Sequence, residues 1–283
     1  MFTPFAFVQG SAAAPAPSYQ PLTTAFAAAS GISDATTLDA LNAFEIGLTN
    51  YSIATSSFDG IYPFVGASSG SFKWNFVNTT KFNLTYTGSL SFTTGGFQAA
   101  GSPKDGRAGS VSFRNISTAS YCSYYYVTEY VGNASNFESP MGANPDYTTG
   151  PGTLTQYYLQ WNGATQLVHP CNVATSDGNG SINSGYTQMS AKGGYALSRI
   201  STGDLRAYVN GTQSGATNTT VLTNRNYAGG PDQPLNILSR QNNSVTTTQS
   251  RLGWASVGPG LDSTQMANYH TLVVAFQTSM SRA

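Results

Sequence analysis

Asp204-Leu-Arg-Ala-Tyr-Val-Asn-Gly211 is the stretch whose reading decides the fold. Leu205, Ala207 and Val209 alternate with Arg206 and Tyr208, so two faces separate at every second residue, as on a β-strand. The run ends in Asn-Gly, the dipeptide that best tolerates the positive φ angles of a tight hairpin turn. Further on, Arg251-Leu-Gly-Trp-Ala-Ser-Val257 reads as another strand, closed by Gly258-Pro259-Gly260.

Working outward, the pattern is β from Phe58 to Val257. Candidate strands are 72–76, 82–86, 89–93, 110–116, 121–131, 153–161, 181–189, 194–201, 204–210, 219–223, 235–240 and 251–257. Gly, Pro, Asn and Asp cluster between them, as turns require. No helical pattern separates the strands, so crossover helices are missing. The expected fold class is all-β, an antiparallel β-sandwich or jelly roll with peripheral N- and C-terminal helices.

The helices flank the β region. Residues 22–30 suit a short helix stopped by Gly31. A second helix over 34–51 starts at a Ser33 or Asp34 cap and carries Leu41, Phe44, Leu48 and Tyr51 on one face. A third, over 263–280, has Asp262 and Gln265 at capping-box spacing and an apolar stripe of Met266, Tyr269, Val273, Phe276 and Met280. Three segments follow: an N-terminal arm (1–21), a helical segment (22–57) and a sandwich with its C-terminal helix (58–283). The arm is uncharged, and Pro15, Pro17 and Pro21 keep it extended. Phe2, Phe5, Phe7 and Tyr19 are its expected assembly contacts with neighbouring subunits.

Composition narrows the function. Only 8% of the 283 residues are charged, against about 25% in an average soluble protein. Twelve basic groups balance twelve acidic ones. No basic cluster is present to neutralise phosphates, which argues against nucleic acid. No apolar run is long enough to span a membrane. The N-terminus lacks a positive n-region and is broken by Pro4, so no signal peptide is expected, and sequons such as Asn78, Asn83, Asn210 and Asn218 read as unmodified. A surface of hydroxyls and amides has little long-range field and packs well against copies of itself or a neutral partner such as glycan. Cys122 and Cys171 fit no zinc spacing and read as reduced, unpaired thiols.

Catalytic signals are sparse. A glycosidase of the two-carboxylate type needs its acids on one face across the scissile bond. Glu129 and Glu138 stand apart, and Asp59, Asp105, Asp177 and Asp204 are scattered beside turns. His169 and His270 accompany no Gly-x-Ser-x-Gly elbow. Asp177-Gly-Asn-Gly-Ser181 begins like a calcium loop but lacks the closing glutamate, and a Gly-rich turn explains it equally. The expectation is no hydrolase activity, no cofactor and no metal. Tyr124, Tyr126 and Tyr130 fall on one strand face and are the candidate glycan contacts, since aromatic faces stack on sugar rings.

Three stretches carry a resemblance to a known family. They are Gly31-Ile-Ser-Asp34 with Leu38, Leu41 and Leu48; Asp59-Gly-Ile-Tyr-Pro-Phe-Val-Gly66 with Trp74-Asn75; and Ile237-Leu-Ser-Arg240 through Ala255-Ser-Val-Gly-Pro-Gly-Leu261 to Phe276-Gln-Thr-Ser-Met-Ser-Arg282. Together, over about residues 24–282, they resemble bacteriophage structural proteins with a concanavalin A/laminin-G-like domain. The resemblance implies a virion component, capsid or tail, made in the host bacterial cytoplasm. Its partners would be copies of itself, other virion proteins and host-cell glycan. A soluble or exported carbohydrate-binding module is the alternative from another class, and a glycan-cleaving enzyme the third.

Overall fold

The computed structural model describes residues 18–100, 106–112, 120–131, 138–143, 157–161, 167–169, 191–201, 203–219, 234–238 and 250–283. Two helices come first, α1 (Pro21–Ser30) and α2 (Ala35–Asn50). Then come β1 (Gly60–Tyr62), the single-turn α3 (Ser69–Phe72), β2 (Thr85–Gly88), β3 (Leu90–Thr93), β4 (Gly96–Ala99) and β5 (Gly106–Ser112). The middle of the chain supplies β6 (Tyr121–Glu129), β7 (Glu138–Ala143), β8 (Tyr157–Trp161) and β9 (Leu167–His169). β10 (Gly193–Ser201), β11 (Asp204–Val209), β12 (Thr212–Asn218), β13 (Pro234–Ile237), β14 (Arg251–Gly258) and α4 (Ser263–Ser279) complete it.

The strands form two sheets with antiparallel pairing throughout the described residues. One runs β12-β11-β10-β6-β14-β4-β3, with β1 on β14; the other runs β2-β5-β13-β7-β8-β9. This is the antiparallel sandwich with terminal helices that the residue pattern implies. The Asn210-Gly211 turn has φ of 49° and 75°, and β11 returns at once into β12, with Val209 opposite Thr212.

Two apolar layers hold the molecule together. Tyr125, Val127, Leu197, Leu252 and Val257 of the first sheet pack with Met141 and Ile237 of the second. On the other face of the first sheet, Tyr124, Tyr126, Ala196, Tyr208 and Trp254 pack against Phe26, Phe44, Met266, Tyr269, Val273 and Phe276 of the helices. The order is helices, sheet, sheet. β6 is therefore buried on both faces through its first seven residues.

Gly253 makes this arrangement possible. Leu252 pairs with Val127 and Trp254 with Tyr126, so Gly253 is the extra residue of a β-bulge. The bulge keeps Leu252 and Ala255 toward the sandwich core and turns Trp254 toward the helices. A Cβ on Gly253 would lie 2.4 Å from Thr128 Cγ2 and 2.9 Å from Gln277 Oε1. The Trp254 indole is fully buried, edge-on to Phe44 at 4.7 Å and to Phe276 at 5.0 Å. Its Nε1–H donates to Tyr269 Oη at 3.2 Å, and Tyr269 donates to Ser256 Oγ at 2.7 Å.

The helices are positioned by named polar contacts. Asp34 caps α2 by accepting from Thr37 N at 2.8 Å. Asp262 and Gln265 form the capping box of α4. α1 has no side-chain cap of its own. The buried Glu45 of α2 takes that place, accepting from Leu22 N, Thr23 N and Thr23 Oγ1 at 2.8–3.0 Å. Asn75 ties the turn after β1: its Oδ1 accepts from Ile61 N and Val77 N, and its Nδ2 donates to the carbonyls of Asp59 and Lys81.

Several expectations need correction. Residues 72–76 are not a strand: the Ser68 hydroxyl caps Ser71 N and starts a helical turn instead. The Asn-Gly turn leads into a strand at Thr212–Asn218 that is not among the candidates, and residues 220–223 of the candidate 219–223 lie outside the described residues. Tyr51, expected on the apolar face of α2, is its C-cap and is exposed. Residues 181–189 lie outside the described residues.

Truncating the indole at the centre of the helix–sheet layer removes its packing and leaves Tyr269 without a donor. Trp254→Ala is expected to cost about 3–5 kcal/mol of unfolding free energy, measured by chemical denaturation against wild type. A cost under about 1 kcal/mol would show that this layer contributes little.

Candidate functional site

The Tyr ladder is not where a ligand could reach it. Tyr124 is 1% exposed and Tyr126 5%. Both face the helices, because β6 carries side chains into two cores rather than one core and solvent. Tyr124 Oη lies 2.8 Å from His270 Nδ1 on α4, and its ring is edge-on to Tyr269 at 5.2 Å. Tyr130 lies beyond the end of β6, half-buried against the other core. Tyr130 therefore does not share the face of Tyr124 and Tyr126, which is covered by the helices, and the glycan-contact assignment to the three is corrected on that ground.

Of the arm, Phe2, Phe5 and Phe7 lie outside the described residues. Tyr19 is half-buried against its own subunit. Partial desolvation, the Asp39 charge and a hydrogen bond to that carboxylate raise its pKa. Cys122 is a free, buried thiol whose pKa burial pushes up to about 12; Cys171 lies outside the described residues, as do Asp105 and Asp177–Ser181. Glu129 pairs with Arg251, and Asp204 pairs with Arg206 at 2.7 Å. No group of three or more His, Cys, Asp or Glu side chains could hold a metal among the described residues.

The structure does bring together a cleft that the sequence did not announce. It encloses about 710 Å³ where the C-terminal end of α1, the start of α2, the 65–71 turn, Thr94 and the end of α4 converge. Exposed hydroxyls of Ser33, Thr36, Ser68, Thr94, Ser279 and Ser281 line it, over an apolar floor of Ile32, Val65 and Met280. Asp34 is the one charged residue in the lining among the described residues. Its Oδ2 is engaged by Thr37 N at 2.8 Å and Thr37 Oγ1 at 2.6 Å. Those bonds, the hydroxyl first, hold the carboxyl below the usual range.

The walls are held in unusual backbone. Phe64, Ala67 and Ser281 have φ of 46°, 54° and 56°, a region that costs a non-glycine residue of order 1 kcal/mol. Arg282, 5% exposed, compensates. Its Nη1 donates to Phe64 O at 2.9 Å and its Nη2 to Pro63 O at 3.3 Å. Its guanidinium sits over the Phe276 ring at 5.5 Å. The arginine thus fastens the end of α4 to the turn that forms the opposite wall. Burial without a carboxylate partner among the described residues lowers its pKa to about 10.

No protein-family model and no curated protein matches the sequence. Solved structures share the fold. A mutant of Trypanosoma rangeli sialidase with trans-sialidase activity superposes with a TM-score of 0.53 at 12% identity, over 87% of this chain and 40% of that one. Trypanosoma rangeli sialidase in complex with 2,3-difluorosialic acid gives 0.52 at 13% identity, over 82% and 38%. The binding domain of botulinum neurotoxin serotype D gives 0.50 at 9% identity, over 77% and 52%. The chain thus spans about two fifths of the length of the sialidases it matches. These likenesses carry the fold alone.

They also correct the expectation that the chain is not an enzyme. Its fold is shared with part of a glycosidase, and the argument from missing carboxylate pairs does not reach that class. Sialidases use a tyrosine nucleophile rather than two carboxylates, and residues distant in sequence can meet in space.

Two titratable groups pull stability in opposite directions with pH. Burial lowers His270 from 6.5 to about 4. The unfolded chain then binds the proton more readily between those values, so this contribution is lost as pH falls from 6.5 to 4. Burial raises Asp59 from 3.8 to about 6. The native state then holds the proton longer, so this contribution is lost as pH rises from 3.8 to 6. Wild type should therefore vary little between pH 4 and 6. His270→Gln should become less stable as pH rises through that window, and Asp59→Asn more stable, in thermal melts at closely spaced pH. Parallel curves for all three proteins would contradict the assignment.

Proposed function

We propose that the chain is a structural component of a bacteriophage particle, displayed on the particle surface, whose β-sandwich engages host-cell glycan. What supports this reading is the resemblance of three stretches to phage structural proteins, parts of which meet in space, with Ile237 of the same set in the second sheet. Leu41 and Leu48 on α2, Ile61 and Val65 of the 59–66 turn, Leu261 and Phe276 pack in the helix–sheet layer, while Tyr62, Phe64, Ala255 and Val257 of the same stretches pack in the sandwich core. They are joined by specific contacts: Ile61 N to Asn75 Oδ1, Ile61 opposite Ser256, Arg282 to the carbonyls of Pro63 and Phe64, and Thr37 Oγ1 to Met280 Sδ at 3.7 Å.

The composition supports display. With 8% charged residues and no net charge, the surface offers hydroxyls and amides, which suit repeated packing between copies and hydrogen bonding to neutral polymers. The fold supports the glycan part: among structures of similar architecture, one holds a difluorosialic acid.

The test is mass spectrometry of density-purified particles from cultures that make this chain, with antibody labelling of intact particles in the electron microscope. Recovery in constant stoichiometry with the major capsid protein, and labelling without disruption, are expected. Absence from particles, with the chain free in the medium and bound to glycan, would replace this reading with a carbohydrate-binding module.

A further inference from the structure

We infer that the cleft between the helix ends and the 65–71 turn is the chain's carbohydrate site, and that its ligand is a neutral glycan; this rests on the proposed glycan engagement. Its size comes first. About 710 Å³ falls within the roughly 300–1,000 Å³ of small-molecule sites, room for a short oligosaccharide rather than a single ion.

The lining chemistry selects the class. Ser33, Thr36, Ser68, Thr94, Ser279 and Ser281 come from separate segments and all are exposed. The hydroxyls of Ser33, Thr36, Thr94 and Ser281 can each donate and accept, which matches the mixed donor–acceptor surface of a sugar, while Ser279 Oγ already donates to Ala275 O and Ser68 Oγ already accepts from Ser71 N. Ile32, Val65 and Met280 supply an apolar floor for the C–H face of a pyranose ring. Among the described residues no lysine or arginine lines the cleft, so none of these would pair with a sialic or uronic carboxylate. Arg282 is nearby but buried, and its Nη atoms are directed to the carbonyls of Pro63, Phe64 and Thr94. It shapes the wall and does not face the ligand. Asp34 Oδ2 is engaged in capping α2, which fixes the orientation of the carboxylate at the edge of the cleft.

The site is built in advance. Phe64, Ala67 and Ser281 are held in left-handed backbone, with Gly66 at φ 91° between the first two. A Cβ on Gly66 would lie 2.6 Å from Ser71 Oγ. A wall already fixed in this way loses little entropy when a ligand arrives.

The experiment probes the purified full chain on an array of neutral hexose and N-acetylhexosamine oligosaccharides beside sialylated and uronic ones. Ser279→Trp and Thr36→Trp fill the cleft from two walls, both at exposed positions, and Thr271→Trp on the exposed face of α4 is the control. Circular dichroism and melting temperature confirm that each variant is folded. Wild type and Thr271→Trp should bind neutral glycans, and both cleft variants should bind at least tenfold more weakly. Unchanged binding by both cleft variants would overturn the cleft assignment while leaving glycan engagement standing. Binding to acidic glycans alone would overturn the ligand class. No binding of any glycan by wild type would overturn glycan engagement and this inference with it.

Discussion

The burial of Trp254 between the sheet and the helices is the constraint on which the rest depends. An indole in that position needs three things at once. It needs a bulge to turn it away from the sandwich core, an acceptor for its N–H, and aromatic neighbours on two helices. Gly253 provides the first, Tyr269 the second, and Phe44 with Phe276 the third. Because β14 lies between β6 on one side and β1 and β4 on the other, the same strand transmits this packing across the sheet. The helices are therefore part of the core rather than ornaments on a sandwich. The sandwich in turn gains a covered outer face that would otherwise expose Tyr124, Tyr126 and Trp254.

Much of the fold was legible because local chemistry and tertiary demand agreed. The capping residues Asp34 and Asp262 start the helices where their side chains place them, and the apolar stripe of α4 faces the sheet. The alternation at 204–209 survives intact, with Leu205 and Ala207 in one core and Tyr208 in the other. β12 was not legible, since Thr-Gln-Ser-Gly-Ala-Thr-Asn has no apolar alternation and forms by pairing to β11 alone. β4 and β7 are short, Gly-containing and equally unmarked. The tyrosines of β6 misled for a different reason. A strand buried on both faces reads as a continuous apolar run, and assigning one of its faces to solvent presumes a two-layer protein. The third layer, made by the helices, is a long-range fact that spacing along the strand does not encode.

The cleft was invisible for the same reason. Most of its residues are serines, threonines and glycines in a chain full of them, drawn from segments as far apart as Ser30 and Ser281. What distinguishes them is convergence. The wall between 63 and 68 owes its shape to Arg282, and Arg282 reaches it only because α4 is anchored across the sheet by Tyr269, Val273 and Phe276. Site geometry and core packing are thus one problem: loosening the Trp254 layer would release the end of α4, and with it the left-handed turn opposite.

The central claim is that helices and sheet form one cooperative unit. Native-state hydrogen exchange measures this directly. Amides of α2 and α4 that lie over Trp254 should exchange with the same opening free energy and denaturant dependence as those of β6 and β14, through global unfolding. Exchange of α4 through a separate opening of lower free energy, with β6 and β14 still protected, would contradict it.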